Sequence, residues 1–154
     1  MQAAREAALN SNCIRRGVGA VVVRNGEIIA AGWNGVSDAY KNCGEAGCPR
    51  CLDGGSTGTG YELCICLHAE QMAIGNAAAR GVATHGSIIY VNLRPCLPCL
   101  GVMRAAGVLA VYFDEDWSYP ERFESIYQQQ AGEFDFFGRI PVDESFASPI
   151  RRIA

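Results

Sequence analysis

Two short segments constrain this chain more than any other part of it: Cys66-Leu67-His68-Ala69-Glu70 and Pro95-Cys96-Leu97-Pro98-Cys99. One imidazole and two thiolates make three ligands for Zn²⁺. With a fourth tetrahedral position left to water, that is the arrangement a catalytic zinc centre requires. His68 and Cys96 are 28 residues apart, so the fold must bring the two segments together. A water acidified by such an ion needs a proton carrier beside it, and Glu70 is the candidate. Taken singly the residues say less. His68 alone reads as a core or surface histidine, and Cys96 with Cys99 alone as a zinc knuckle or a redox pair. Their co-occurrence favours the metal reading for the set.

The 154 residues, 49% of them hydrophobic, can bury one substantial core, so a single domain over 1–154 is expected. No run of about 18 apolar residues and no basic-then-apolar leader is visible, and a soluble cytoplasmic protein with no membrane partner is the expectation. In a reducing compartment the eight cysteines suit metal ligation better than disulfides. The net charge is −3, and the basic clusters are only the pairs Arg15-Arg16 and Arg151-Arg152. A polynucleotide partner normally meets a basic footprint, so a small substrate is favoured.

In chain order, residues 1–11 read as an Ala-rich helix. Ala20-Val21-Val22-Val23 reads as a buried strand, Asn25-Gly26 as a hairpin turn, and residues 27–33 as the returning strand. Asn34-Gly35 ends it, and locally Asn34 reads as turn chemistry. Residues 68–79 have helical composition with Ala69, Met72, Ala73 and Ala77 on one face. Residues 87–93 form a strand feeding into Cys96, residues 96–106 a helix stopped by Gly107, residues 108–113 a strand, and residues 121–130 a helix. Both ligand groups then sit at helix N-termini, where the dipole favours anions. The apolar tail from Phe134 suits core or subunit contacts. Alternating strands and helices indicate a three-layer α/β/α sandwich.

The connection over residues 36–64 is rich in Gly and Cys, and loops of that length are usually functional or tied down. Cys48-Pro49-Arg50-Cys51 has metal-ligand spacing, and Cys43 and Cys64 would complete a closed structural site for a second zinc ion; free thiols are the alternative.

The histidine-x-glutamate and proline-led cysteine pair are together similar to the zinc deaminase signature. The chain resembles the cytidine deaminase superfamily, and within it most the deoxycytidylate (dCMP) deaminase family. Besides the zinc motifs, the resemblance rests on Cys13-Ile14-Arg15 with Val18-Gly19-Ala20-Val21, on Gly32-Trp33-Asn34-Gly35, and on Gly47-Cys48-x-Arg50 with Cys64 four residues before His68. It implies a five-stranded mixed sheet with the fifth strand around residues 134–140, and a homo-oligomer, dimeric or hexameric. It also implies zinc-dependent conversion of dCMP to dUMP and ammonia, with dCTP and dTTP as effectors in many members. By the same resemblance Glu70 carries protons, and His68, Cys96 and Cys99 hold the metal. The Ala69 backbone meets the ring and Asn34 the sugar hydroxyl. Three positions depart from the family pattern: Met72 where Asn is usual, Arg94 before the zinc-site proline, and Cys66 where Thr is frequent. These touch the substrate pocket, so CMP, a free nucleoside, a 5-substituted dCMP or guanine are alternative substrates. A noncatalytic zinc-binding subunit is the alternative from another class. Arg94 suits pairing with a 5′-phosphate or pointing to solvent, and Arg24, Lys41 and Arg50 are further phosphate candidates.

Overall fold

The β-branched run and its hairpin form the first two strands. The computed structural model describes residues 1–36, 40–45, 47–52 and 63–140, so the expected linker at 53–60 and the tail beyond 140 lie outside the described residues. Strand β1 (Gly19–Arg24) pairs antiparallel with β2 (Glu27–Trp33) across Asn25 and Gly26, both at positive φ (54° and 79°). That is the backbone a two-residue turn needs to follow the twist of the strands. The register shifts between Val22 and Val23, leaving Ile29 as an extra residue in β2.

Helix α1 (Gln2–Ala8) precedes the hairpin. After it come a short helix α2 (Pro49–Leu52), α3 (Ala69–Ala79), β3 (Ile88–Leu93), α4 (Leu97–Ala105), β4 (Ala110–Glu115), α5 (Glu121–Ala131) and β5 (Phe136–Arg139). The sheet order is β2-β1-β3-β4-β5. β1 is antiparallel to β3, whereas β3, β4 and β5 are mutually parallel. The five-stranded mixed sheet expected from the resemblance is therefore present, with its fifth strand at Phe136–Arg139.

Period-two alternation separates the two faces. Ala20, Val22, Ile89, Val91 and Val111 pack with α3, α4 and Tyr127 of α5, while Val21 and Val23 pack under Ala4 of α1. Helices on both faces make the three layers. Each fully buried Val or Ile side chain of the first group contributes about 1.5–3 kcal/mol. No helix among the described residues is long and apolar enough to cross a membrane.

Two glycines set how closely the layers approach. A Cβ on Gly19 would lie 2.1 Å from the Ala4 carbonyl oxygen on the α1 side. One on Gly32 would lie 2.3 Å from the Ala73 nitrogen and 2.5 Å from the Ala69 oxygen on the α3 side. Helix α3 meets the sheet through Ala69, Ala73 and Ala77, all fully buried, so backbone lies nearly on backbone. Met72, expected on that face, is only half-buried, and Glu70 is buried in its place. Gly32→Ala is expected to destabilise the protein by about 1–3 kcal/mol, because neither backbone can yield. Urea denaturation measures this, and Gly26→Ala, where a Cβ meets nothing within 4 Å, isolates the cost of positive φ alone.

Candidate active site

His68 and Cys96 each stand one residue before a helix, both with extended backbone (φ −79°, ψ 157° and φ −86°, ψ 163°). The His68 N–H donates to Gln71 Oε1 at 3.0 Å, which closes the first turn of α3. Just before it, Leu67 exchanges backbone hydrogen bonds with Gly35 (2.9 and 3.1 Å), tying His68 to the end of β2. Cys96 leaves the carboxyl end of β3. Tyr127 Oη donates to the Pro95 carbonyl at 2.8 Å, and the Leu97 N–H donates to Tyr119 Oη at 2.7 Å. Both helix starts therefore point into one place.

There His68 Nδ1 lies 3.1 Å from Cys96 Sγ and 3.4 Å from Cys99 Sγ, and the three donor atoms lie within 4.8 Å of one another. Cys99 Sγ is 3.5 Å from Glu70 Oε2. One nitrogen and two sulfurs converging at this spacing fit a tetrahedral zinc ion with one position left open. The charges agree. Interaction with Cys99 and His68 pulls the Cys96 thiol down to about 5, while interaction with Cys96, and then burial, push Cys99 up. Two adjacent thiols thus hold one negative charge, and a dication is what lets both ionise. Glu70, only 3% exposed, is pushed up to about 7 by burial and then by the Cys96 charge. A carboxyl with that affinity both takes and gives a proton near neutral pH.

These residues form one wall of a cavity of about 450 Å³, whose other walls include Asn34, Arg50, Arg94 and Trp117. That volume suits a small organic ligand. The Asn34 side chain is largely engaged in holding the loop that precedes β1. Its Oδ1 accepts from Ser11 Oγ and the Val18 N–H, both at 2.7 Å, and its Nδ2 donates to the Arg16 carbonyl at 2.8 Å. One Nδ2–H remains for a ligand. Ala69 is fully buried at the first position of α3.

Arg94 lines the cavity but does not point to solvent. It is 8% exposed and donates to the Trp117 carbonyl and to Glu124 Oε1, each at 2.8 Å. Its guanidinium lies 4.0 Å over the Tyr127 ring, and Trp117 Nε1 donates back to the Arg94 carbonyl at 2.7 Å. Of the other phosphate candidates, Arg24 pairs with the Ala83 carbonyl at the far end of β1, and Lys41 is exposed. Arg50 is buried and faces the cavity together with Arg15 and Arg16.

Beside the cavity the cysteines of the long connection gather. Cys43, Cys48 and Cys51 form one group with metal-ligating spacing, but Cys64 joins Cys48 and Cys66 instead, and Cys13 joins Cys43 and Cys66. Sequence reasoning missed Cys13 and Cys66. The signal was present in Cys64-x-Cys66, but thiols 53 residues apart, Cys13 and Cys66, carry no spacing rule. Burial pushes Cys43 up to about 12. For Cys48 burial acts in the same sense, but the N–H groups of Cys51 and Ile65 outweigh it and bring the thiol down to about 7.

Fold and donor set together define a three-layer α/β fold in which one histidine and two cysteines could hold a metal ion with one position open. Residues 1–115 match the family described as the cytidine and deoxycytidylate deaminase zinc-binding region. The chain is 37% identical over 128 residues to a deoxycytidylate deaminase of Schizosaccharomyces pombe, covering 83% of this chain and 39% of that protein. It is 37% identical over 121 residues to the one from Saccharomyces cerevisiae, covering 79% and 38%. The chain thus spans about two fifths of these two relatives. The crystal structure of dCMP deaminase from the cyanophage S-TIM5 in complex with dCMP and dUMP superposes with a TM-score of 0.68 at 31% identity, covering 89% of this chain and 91% of that one. This chain belongs to the cytidine and deoxycytidylate deaminase family.

Arg94→Met is expected to cost about 1–3 kcal/mol of stability by urea denaturation, since it leaves the Trp117 carbonyl without its side-chain donor and Glu124 with Gln128 in place of a cation. The KM for a nucleotide and for its nucleoside should shift together. A KM rise confined to the nucleotide would instead make Arg94 a phosphate ligand.

Proposed function

We propose that the protein is a hydrolase acting on a cyclic amidine, a single zinc-dependent deaminase unit that converts dCMP to dUMP with release of ammonia. The observation that carries this reading is the buried Glu70, its Oε2 3.5 Å from Cys99 Sγ, beside three donors that fit zinc with one position open. The deoxycytidylate deaminases among its relatives, and the dCMP and dUMP bound in the cyanophage structure, support the choice of substrate.

His68, Cys96 and Cys99 would hold the zinc, which when bound supplies a water acidified to near neutral pH. Glu70 receives a proton on a carboxylate oxygen, passes it to N3 of the cytosine ring, and carries a second to the departing amine. Its raised proton affinity matches both transfers. The Ala69 N–H, at the start of α3, meets the ring, and the remaining Nδ2–H of Asn34 meets the sugar hydroxyl. Arg50, buried in the wall with Arg15 and Arg16 nearby, is the group best disposed for the 5′-phosphate. Arg94 holds the segment that leads into Cys96.

The cysteine cluster serves as a structural zinc site. A cytoplasmic setting belongs to this reading, because a thiolate metal site needs its cysteines kept reduced. A homo-oligomer, dimeric or hexameric, would cover the stacked rings of Tyr90, Tyr112 and Phe136 on the α1 face of the sheet, where Phe136 is 42% exposed. Regulation by dCTP and dTTP rests on the family resemblance alone.

Ammonia release from dCMP, CMP, deoxycytidine, cytidine and guanine tests the reading, and dCMP should give the highest rate. Glu70→Gln should keep its zinc while turnover falls about 10²–10⁴-fold. A Gln variant with near-normal turnover would refute the proton role. Arg50→Met should raise the KM for dCMP much more than that for deoxycytidine, and an equal rise for both would remove Arg50 from the phosphate site.

A further inference from the structure

The second cysteine site is larger than a four-thiolate centre. Six thiols, from Cys13, Cys43, Cys48, Cys51, Cys64 and Cys66, form three triangles whose sulfurs lie within 4.8 Å of one another. The triangles are Cys13-Cys43-Cys66, Cys43-Cys48-Cys51 and Cys48-Cys64-Cys66. Cys43, Cys48 and Cys66 each belong to two triangles and are buried, while Cys13, Cys51 and Cys64 each belong to one and are half-buried. The shared thiols therefore occupy the centre of the cluster and the unshared ones its rim. With Val36 they form an apolar pocket separate from the main core.

We propose that these six cysteines hold two zinc ions in one binuclear thiolate cluster, with two of the central thiolates bridging both ions. The coordination arithmetic favours this over one ion. Two closed tetrahedral sites have eight coordination positions, and six thiolates fill them when two are shared. A single ion at Cys43, Cys48, Cys51 and Cys64 would strand Cys13 and Cys66. Yet Cys66 Sγ lies 3.3 Å from Cys43 Sγ, as close as Cys48 Sγ lies to Cys64 Sγ at 4.0 Å or closer. Sulfurs that share one tetrahedral zinc sit about 3.8 Å apart, given Zn–S bonds of about 2.3 Å. Cys66 is thus already beside a ligand of that ion, and Cys13 lies within 4.8 Å of both Cys43 and Cys66.

Backbone contacts between distant segments bring the six cysteines together. Asn12 bonds both backbone groups of Val36 (2.9 and 3.2 Å), which aligns the segment carrying Cys13 with the end of β2. Gly35 pairs with Leu67, which brings in Cys66. The Gly47 N–H donates to the Asn42 carbonyl at 3.0 Å, and a Cβ there would lie 1.7 Å from the Lys41 oxygen, so only glycine turns the chain tightly enough to set Cys48 beside Cys43. Six thiolates and two dications leave a charge of two negative units, and Arg50, flanked by Cys48 and Cys51 and buried, supplies a cation between the cluster and the cavity.

This deepens the reading of the cysteines as a structural metal site and does not depend on the identity of the substrate. The test is metal content of the full chain, by mass spectrometry, after expression with zinc and copper both present. Wild type should carry three zinc ions per chain, and Cys96→Ser/Cys99→Ser, which removes the catalytic centre, should carry two. X-ray absorption at the zinc edge of that variant should show an all-sulfur shell of four and a zinc–zinc scattering path. Two zinc ions in wild type, one in the variant, no zinc–zinc path, or copper in place of zinc would each overturn the proposal. Failure of the dCMP reading would look different, as absent ammonia release with three zinc ions bound.

Discussion

The structure depends on the contact between β2 and α3. Gly32 offers no side chain, and Ala69, Ala73 and Ala77 offer only methyl groups, so the helix backbone lies directly on the strand. This contact leaves no freedom in the height of the first turn of α3, and with it the positions of His68 and Glu70. A larger residue at Gly32 would lift the helix away from the sheet and draw the histidine out of reach of Cys96. The catalytic precision of a site built on two helix starts comes from the small residues behind them.

The second constraint is electrostatic. Cys96, Cys99, His68 and Glu70 crowd four titratable groups into a buried volume, and their shifts oppose one another: Cys96 goes down, Cys99 and Glu70 up. Burial alone would neutralise every one of them. A dication reconciles the set, because it stabilises both thiolates and sits beside a carboxyl kept near neutrality. The Arg94 system beside it solves a related problem, since its buried guanidinium is satisfied by Glu124, the Trp117 carbonyl and the Tyr127 ring. A residue that by type alone suited phosphate binding has its guanidinium engaged by the wall that supports the segment entering Cys96.

Much of the fold was legible because its signals are local. The Val21-Val22-Val23 run, the Asn25-Gly26 turn and the Gly107 stop each act within a few residues, and the observed elements follow them. The fifth strand was legible only through resemblance, since Phe136–Arg139 is four residues long and lacks clean alternation. The face of α3 was misread at Met72 and Glu70 because a carboxylate counts as polar in any pattern, whereas its proton lets it be buried. The metal centre was legible for a related reason. Histidine and paired cysteines at ligand spacing are rare enough in combination to be recognised before any geometry is known.

The sequence by itself determined most of the strands and helices and singled out His68, Cys96 and Cys99 as candidate donors with Glu70 beside them, because chemistry and short-range spacing specify them. Only the tertiary structure decided which arginines line the cavity and how each is engaged there, and which cysteines gather in the second cluster. Those outcomes depend on contacts between segments far apart in sequence, such as Asn12 with Val36 and Arg94 with Glu124. Such contacts are set by packing, and packing leaves no periodic trace in the order of residues.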